Sequence, residues 1–132
     1  MKGYYRFPTI SKSQIVFVSE DDLWSVTTND SRAVRLTTNI SQVSTPLLSP
    51  NGKWITYVGK EDGNTEVYIM PSIGGISKRL TFDAALISKI VAWKNDKEIV
   101  YTSDLKQPFS RISDLRIVNI SGGESKALNY GI

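Results

Sequence analysis

The amino-acid sequence repeats one pattern three times, and the repeats are 44 and 48 residues apart. Each copy holds two short runs of apolar and β-branched residues, then a polar turn, then a leucine followed by a polar residue. The first runs are residues 15–18, 54–58 and 99–101, the second runs are residues 23–26, 67–70 and 115–118, and the closing leucines are Leu36, Leu80 and Leu128. A repeat of this length, built from short strands, constrains the fold more than composition does.

A period of this length with about four short strands in each copy is typical of β-propeller blades. The sequence therefore predicts an all-β fold, a β-propeller fragment of three four-stranded antiparallel blades within residues 1–132. The blades are expected at about residues 7–37, 45–81 and 90–129. Within the second blade we expect Asn51 and Gly52 to form a type I′ turn, because both tolerate positive φ.

Two residue types are missing from the chain, and their absence limits its chemistry. The 132 residues include no cysteine and no histidine. A disulfide, a thiolate nucleophile, an imidazole base and a Ser-His-Asp triad therefore cannot come from this chain alone. The usual zinc sites are excluded for the same reason. We predict that the chain is not an enzyme on its own and that it holds no cofactor or metal.

Charge and hydropathy argue against two classes of partner. The net charge is +3 and the isoelectric point is near 9.2, but the sixteen basic residues are scattered instead of forming a stripe. We therefore expect no nucleic-acid partner. The sequence has no apolar run long enough to span a membrane and no apolar stretch typical of a signal peptide. We expect no membrane association and a cytoplasmic location.

Spacing within the repeats separates a constant hairpin from a variable loop. The second run and the closing leucine are always 13 residues apart, whereas the loop between the two runs grows, with spacings of 6, 10 and 14 residues. Variable loops on a constant scaffold often carry binding. The longest loop covers residues 104–111, and we select Phe109 and Arg111 as candidate contacts for a peptide or protein partner. The alternative is an ordinary insertion, with Phe109 packed on the blade edge.

Two further features have a functional and a structural interpretation. The carboxylates at residues 20–22 are the oxygen ligands that a hard cation prefers, but we favour a charged, solvated turn. An aromatic binding face is one interpretation of the tryptophans, and packing between blades is the favoured one. The tryptophans are Trp24, Trp54 and Trp93.

The residues also resemble known proteins. Residues 50–53, 67–68 and 79–81 resemble the WD-type repeats of TolB-like propellers. Residues 15–24 resemble the opening of the tricorn protease, a large archaeal and bacterial cytosolic serine peptidase, and residues 102–110 resemble its third blade, including the Gln-Pro-Phe. The resemblance extends from about Gly3 to the end of the sequence. In that family this segment is the first half of a six-bladed propeller, and the catalytic residues lie far downstream.

The resemblance implies a non-catalytic propeller segment that scaffolds a tricorn-type cytosolic serine protease and gates the access of peptides. Its expected partners are peptides or the remaining tricorn-type domains. A stand-alone TolB-like module for protein–protein interaction is the alternative.

Three blades leave two blade faces without a neighbouring blade, and such faces are expected to drive association. We expect a homodimer in which two copies contribute six blades. The alternative is that missing blades of a longer protein cover these faces.

Overall fold

The computed structural model describes residues 5–30, 32–37, 42–60, 63–82, 87–103 and 114–128. Within these ranges all the secondary-structure elements are β-strands. No helix that is long and apolar enough to cross a membrane occurs there. The strands are β1 (Arg6–Ser11), β2 (Gln14–Ser19), β3 (Asp22–Thr27), β4 (Val34–Arg35), β5 (Val43–Leu48), β6 (Trp54–Gly59), β7 (Glu66–Pro71), β8 (Lys78–Arg79), β9 (Ile87–Trp93), β10 (Glu98–Ser103), β11 (Asp114–Asn119) and β12 (Lys126–Ala127).

The strands form three antiparallel sheets of four strands each, in the order of the sequence. We call them blade 1 (β1–β4), blade 2 (β5–β8) and blade 3 (β9–β12). Each blade is a meander in which every strand pairs with the next one along the chain. The predicted all-β fold of three four-stranded antiparallel blades is confirmed.

One backbone hydrogen bond recurs in all three blades and explains the constant spacing of 13 residues. In each blade the N–H of the closing leucine donates to the carbonyl of an apolar residue near the start of the third strand. The pairs are Leu36 to Leu23 at 2.7 Å, Leu80 to Val67 at 2.8 Å and Leu128 to Leu115 at 2.9 Å. The bond therefore holds the residue that follows the short fourth strand beside the start of the third strand in every blade.

The turn between β5 and β6 differs from the predicted type I′ turn. Gly52 has a φ of 74°, but Asn51 is not among the residues with positive φ. The Asn51 side chain accepts a hydrogen bond from the Lys53 N–H at 3.0 Å, and the Gly52 N–H donates to the Ser49 carbonyl at 2.9 Å. The prediction was wrong because the connection is a longer loop that the asparagine side chain holds in place.

Two consecutive residues with positive φ occur instead between β2 and β3. Ser19 pairs with Asp22, which leaves only Glu20 and Asp21 to reverse the chain. Their φ values are 51° and 65°. A two-residue hairpin loop favours this conformation because its twist matches that of the strands, although asparagine and glycine adopt it more readily.

The hydrophobic core lies at the two junctions between blades, and blade 2 is packed on both faces. The first cluster joins blades 1 and 2 and contains Val16, Val18, Leu23, Val43, Leu48, Ile55, Tyr57, Tyr68 and Met70. The second joins blades 2 and 3 and contains Val58, Val67, Ile69, Leu80, Ile87, Ile90, Ile99, Tyr101 and Val118. Alternate residues of β6 and β7 enter different clusters, as expected for strands buried on both sides. Trp54 and Trp93 pack against the second cluster, as predicted, whereas Trp24 is partly exposed and belongs to neither cluster.

Candidate functional site

The first strands of the three blades lie side by side, and threonine side chains link them. The Leu48 N–H in β5 donates to the Thr9 hydroxyl oxygen in β1 at 3.2 Å. One blade further on, the Ile90 N–H in β9 donates to the Thr45 hydroxyl oxygen in β5 at 3.1 Å. Each first strand is also the edge strand of its sheet. We call this row of edges the inner edge, because the innermost strands of a propeller surround its central channel.

The inner edge is bent at equivalent places in blades 1 and 2. Phe7 has a φ of 54° and Thr45 a φ of 44°, and each precedes a proline, Pro8 or Pro46. The register with the second strand shifts at both places. A bulge redirects the side chains of the bulged residues, and a β-branched residue at positive φ is unusual. Recurrence in two blades marks the inner edge as a feature of the repeat.

The bulges present apolar side chains to the solvent. Phe7 lies at the bulge of β1 and is 42% exposed. Val91 lies between the residues where the pairing of β9 with β10 shifts, and it is also 42% exposed. Apolar groups on an edge strand suit an extended peptide, which can use both backbone and side-chain contacts.

A cleft of about 240 Å³ opens between blades 1 and 2, at the end of the inner edge where β1 and β5 begin. Its volume is below the roughly 300–1,000 Å³ of sites that enclose a whole small molecule. The cleft is therefore of a size for a side chain or for part of an extended chain. Two cations and one carboxylate lie at its mouth, and all three are exposed. The residues that line the cleft include Arg6, Phe7, Asp21, Ser44, Lys60 and Thr65.

The cleft lies on the same rim as the variable loops. This rim holds the connections between the second and third strands of the blades, since β6 ends and β7 begins beside the start of β5. In blade 3 the paired residues Ser103 and Asp114 flank the longest of these loops. Phe109 and Arg111 fall outside the described residues, so their contact with a partner stays a prediction.

A buried ion pair near the same rim was not predicted from the sequence. The Glu66 side chain has no solvent exposure, and the Arg79 guanidinium donates to it at 2.9 Å. The Thr81 hydroxyl donates to the other Glu66 oxygen at 2.6 Å and accepts the Val67 N–H at 3.0 Å. This network joins the third strand of blade 2 to its fourth strand and to the closing turn.

Blade 1 repeats the network with an aspartate. Asp22 is 4% exposed, and both Arg35 and Thr37 donate hydrogen bonds to it. Glu20 and Asp21 are exposed, but the interpretation of all three carboxylates as a solvated turn was wrong for Asp22. The signal was present as an acid followed by arginine 13 residues later and threonine 15 residues later, in both blades. Among the described residues, no group of three potential metal ligands comes together.

Comparison with known proteins gives the family. The family described as the tricorn protease N-terminal β-propeller domain matches residues 2–132. A protein of Sulfurisphaera tokodaii named as a tricorn-like protease N-terminal subunit is 32% identical over 99% of this chain, which spans 68% of that protein. A tricorn protease homolog of Saccharolobus solfataricus is 28% identical over the whole chain, which spans 12% of that protein.

Solved structures show the same fold. The crystal structure of the tricorn protease superposes with a TM-score of 0.84 at 21% identity, covering 97% of this chain and 13% of that one. A TolB structure from Agrobacterium tumefaciens gives a TM-score of 0.77 at 17% identity, covering 96% of this chain and 49% of that one. With the repeated blades and a family match over nearly every residue, the chain belongs to the tricorn protease N-terminal β-propeller family.

Proposed function

We propose that this chain is a non-catalytic propeller segment of a tricorn-type protease that acts in the cytoplasm, scaffolds the enzyme and gates the access of peptides. The observation that carries this proposal is the family match over residues 2–132. The partners are peptides and the remaining domains of such a protease. The chain spans only 12% of the full-length homolog, so catalysis is assigned to other parts of the assembly.

The two buried carboxylates have structural partners, which supports a non-catalytic role for them. Catalysis by general acid and base needs a group that is free to exchange a proton with the substrate. Asp22 and Glu66 are instead buried and held by arginine and threonine donors. Their arrangement stabilises the blades, and the chain has no histidine or cysteine to take over such chemistry.

The inner edge supports the gating role. Edge strands present backbone N–H and C=O groups that an extended peptide can match, without selecting a particular sequence. Phe7 and Val91 add apolar contacts, while Arg6 and Lys60 add positive charge at the cleft. Such a surface suits weak binding of many peptides, which is what a passage requires.

The alternative is a stand-alone TolB-like module that binds a protein partner. It is supported by the fold alone, because the TolB structures share at most 20% identity with the chain. This alternative predicts tight binding of one specific partner, whereas gating predicts weak binding of many unstructured peptides. Peptide binding therefore separates the two functions.

The test is fluorescence polarisation with a series of labelled, unstructured peptides. Phe7→Ser combined with Val91→Ser removes the two exposed apolar groups, and we expect it to weaken binding about tenfold. Phe109→Ala combined with Arg111→Ala is expected to weaken binding as well. The physical reason is the loss of apolar contact on the inner edge and of a cation on the long loop.

The matched control lies on the opposite rim. Ile73 and Ile76 are each 92% exposed and lie in the turn between β7 and β8. Ile73→Ser combined with Ile76→Ser replaces two isoleucines that are more exposed than Phe7 and Val91, without touching the inner edge, and peptide binding should stay unchanged. If no peptide binds, or if the control variant alone weakens binding, the gating proposal is wrong.

A further inference from the structure

The turns between the first and second strands of the three blades contact one another in order. A Cβ on Gly52, between β5 and β6, would lie 3.3 Å from the Ser11 hydroxyl oxygen and 3.9 Å from Lys12 Cδ in the turn between β1 and β2. The Asn51 N–H donates to the Asp96 carboxylate, in the turn between β9 and β10, at 2.9 Å. The three turns therefore form one continuous surface, at the end of the inner edge opposite the cleft.

This surface carries a lysine from every blade. Lys12 comes from the turn of blade 1, Lys53 from that of blade 2, and Lys94 and Lys97 from that of blade 3. All four residues are exposed, and among the residues that the structure describes none of the four forms an ion pair. We call these four residues the lysine row. They are far apart in the sequence, and the contacts between the turns bring them together.

The acidic side chains beside the lysine row do not neutralise it. Asp96 lies in the same turn as two of the lysines, but its carboxylate accepts the Asn51 N–H. Glu98 follows at the start of β10 and accepts a hydrogen bond from the Asn95 side chain at 2.9 Å. Four lysines and two carboxylates leave a net charge of +2 on this surface, so the row attracts anions.

Hydrogen bonds fix the backbone that carries the lysine row. The Lys53 carbonyl accepts the Ser72 N–H at 2.9 Å, which ties its turn to the next hairpin of blade 2. The Lys94 N–H donates to the Glu98 carbonyl at 2.9 Å across the turn of blade 3. A ligand that binds here orders the side chains alone, because the turns are already in place.

The aromatic residues beside the lysine row are packed into the protein. Trp54 and Trp93 are its neighbours in sequence, and both pack against the second cluster. Trp93 also donates its indole N–H to the Leu47 carbonyl at 3.0 Å. A single-stranded nucleic acid needs aromatic faces on which its bases stack, whereas carboxylates need only the ammonium groups. The row therefore favours an acidic polypeptide over a nucleic acid.

We propose that the lysine row binds the acidic side chains of extended peptides, so that this end of the inner edge selects peptides rich in aspartate and glutamate. Three turns in contact supply cations along a path that one extended chain can follow. Complementary charge speeds the encounter and gives specificity, and salt screens it. This inference rests on the proposed function, because it names the class of peptide that the inner edge prefers.

The test is fluorescence polarisation with three peptides of equal length, in which serine alternates with glutamate, glutamine or lysine. Each peptide carries the fluorophore at its N-terminus and an amide at its C-terminus, so that neither terminus is charged. We expect the glutamate peptide to bind about tenfold more tightly than the glutamine peptide, and the lysine peptide to bind most weakly. The preference should disappear at about 1 M salt, where the screening length is about 3 Å.

The decisive variant combines Lys12→Gln, Lys53→Gln and Lys97→Gln, which removes one cation of the row from each blade. All three positions are exposed, and circular dichroism checks that the variant is folded. Its affinity for the glutamate peptide should fall about tenfold, to that of the glutamine peptide. Its affinity for the glutamine peptide should not change.

The matched control combines Arg32→Gln, Lys78→Gln and Lys126→Gln. These exposed cations lie just before or at the start of β4, β8 and β12, the outermost strands of the three blades. The control therefore lowers the net charge by the same amount, also one cation from each blade, but away from the row. Its dissociation constant for the glutamate peptide should stay within about twofold of that of the unmodified chain.

Three results would overturn the inference: no preference for the glutamate peptide, a preference that the row variant retains, or a preference that the control variant loses as fully. Tighter binding of a single-stranded oligothymidine of the same number of units would assign the row to nucleic acid and overturn it equally. Binding of the glutamine peptide without any preference for glutamate would overturn this inference and leave the proposed gating intact. Binding of the glutamate peptide alone, lost in the row variant, would do the reverse.

Discussion

Replacing Glu66 by glutamine tests the role of the buried ion pair, because the two side chains have almost the same shape. Glu66 accepts from Arg79 at 2.9 Å and from Thr81 at 2.6 Å. A glutamine amide has one oxygen, so its NH₂ group must face one of these two donors. The Thr81 hydroxyl cannot turn away without loss, because its oxygen already accepts the Val67 N–H and its proton needs an acceptor.

The expected cost is the loss of one charge-assisted hydrogen bond, about 1.5–3 kcal/mol, together with the loss of the Glu66 charge that faces Arg79. Removing one partner of a fully buried pair costs about 3–5 kcal/mol, and the 22% exposure of Arg79 places this pair at the lower limit. We therefore expect the free energy of unfolding to fall by about 3 kcal/mol. Urea denaturation of both proteins at one protein concentration measures it.

Glu98→Gln is the matched control. Glu98 is partly exposed and accepts from the Asn95 side chain at 2.9 Å in an exposed turn. This change should alter the free energy of unfolding by less than about 0.5 kcal/mol. If Glu66→Gln costs less than about 1 kcal/mol, or no more than the control, the buried network does not stabilise blade 2 as described.

Three further results are expected. Gly59→Ala should lower the free energy of unfolding by about 1–3 kcal/mol in urea denaturation, because a Cβ there would lie 2.9 Å from a tyrosine ring. In the control Gly63→Ala the new Cβ meets nothing within 4 Å and costs only backbone strain at a φ of 89°. Equal costs for the two variants would contradict this. Thr45→Val should cost about 1–3 kcal/mol by leaving a backbone N–H of β9 without its acceptor, and an unchanged urea midpoint would refute that link. Glu20→Asn and Lys12→Gly should each add about 0.5–1 kcal/mol to the free energy of unfolding and so raise the thermal midpoint, because positive φ suits the new residues better. A lower midpoint would show that the turns carry no strain.

The sequence predicts the blades well because the repeat is local and regular. Runs of β-branched and aromatic residues give the strands, and one hydrogen bond per blade, such as that from Leu80 to Val67, explains the constant spacing. Consecutive apolar residues in β6 match a strand that is buried on both faces, whereas β10, with a similar run, alternates between buried and partly exposed residues. These features depend on neighbours within one blade, and a single repeat already contains them.

Features that depend on contacts between elements were missed or misread. Asp22 was read as part of a solvated turn because its partners, Arg35 and Thr37, follow 13 and 15 residues later on another strand. The cleft needs residues from two blades, among them Arg6 and Lys60, and no local pattern links them. Turn type was misread at Asn51 because a side-chain hydrogen bond outweighs the propensity of the residue pair.

Equivalent positions in different blades differ in how deeply they are buried. When equivalent positions in two blades are compared, one residue can be buried while its counterpart is exposed. Ile10 and Leu48 form such a pair. This comparison needs the strand registers, which the sequence suggests and the structure supplies.

The measurement that tests the proposed function most directly is the hydrolysis of a length series of fluorogenic peptides by a tricorn-type catalytic chain from the same cell, with and without this chain. The account predicts that this chain alone hydrolyses none of the peptides. It also predicts that adding it changes the rate for long peptides while the shortest ones are cleaved as before, and that Phe7→Ser combined with Val91→Ser reduces the change. Identical rates at every peptide length, with and without the chain, would contradict it.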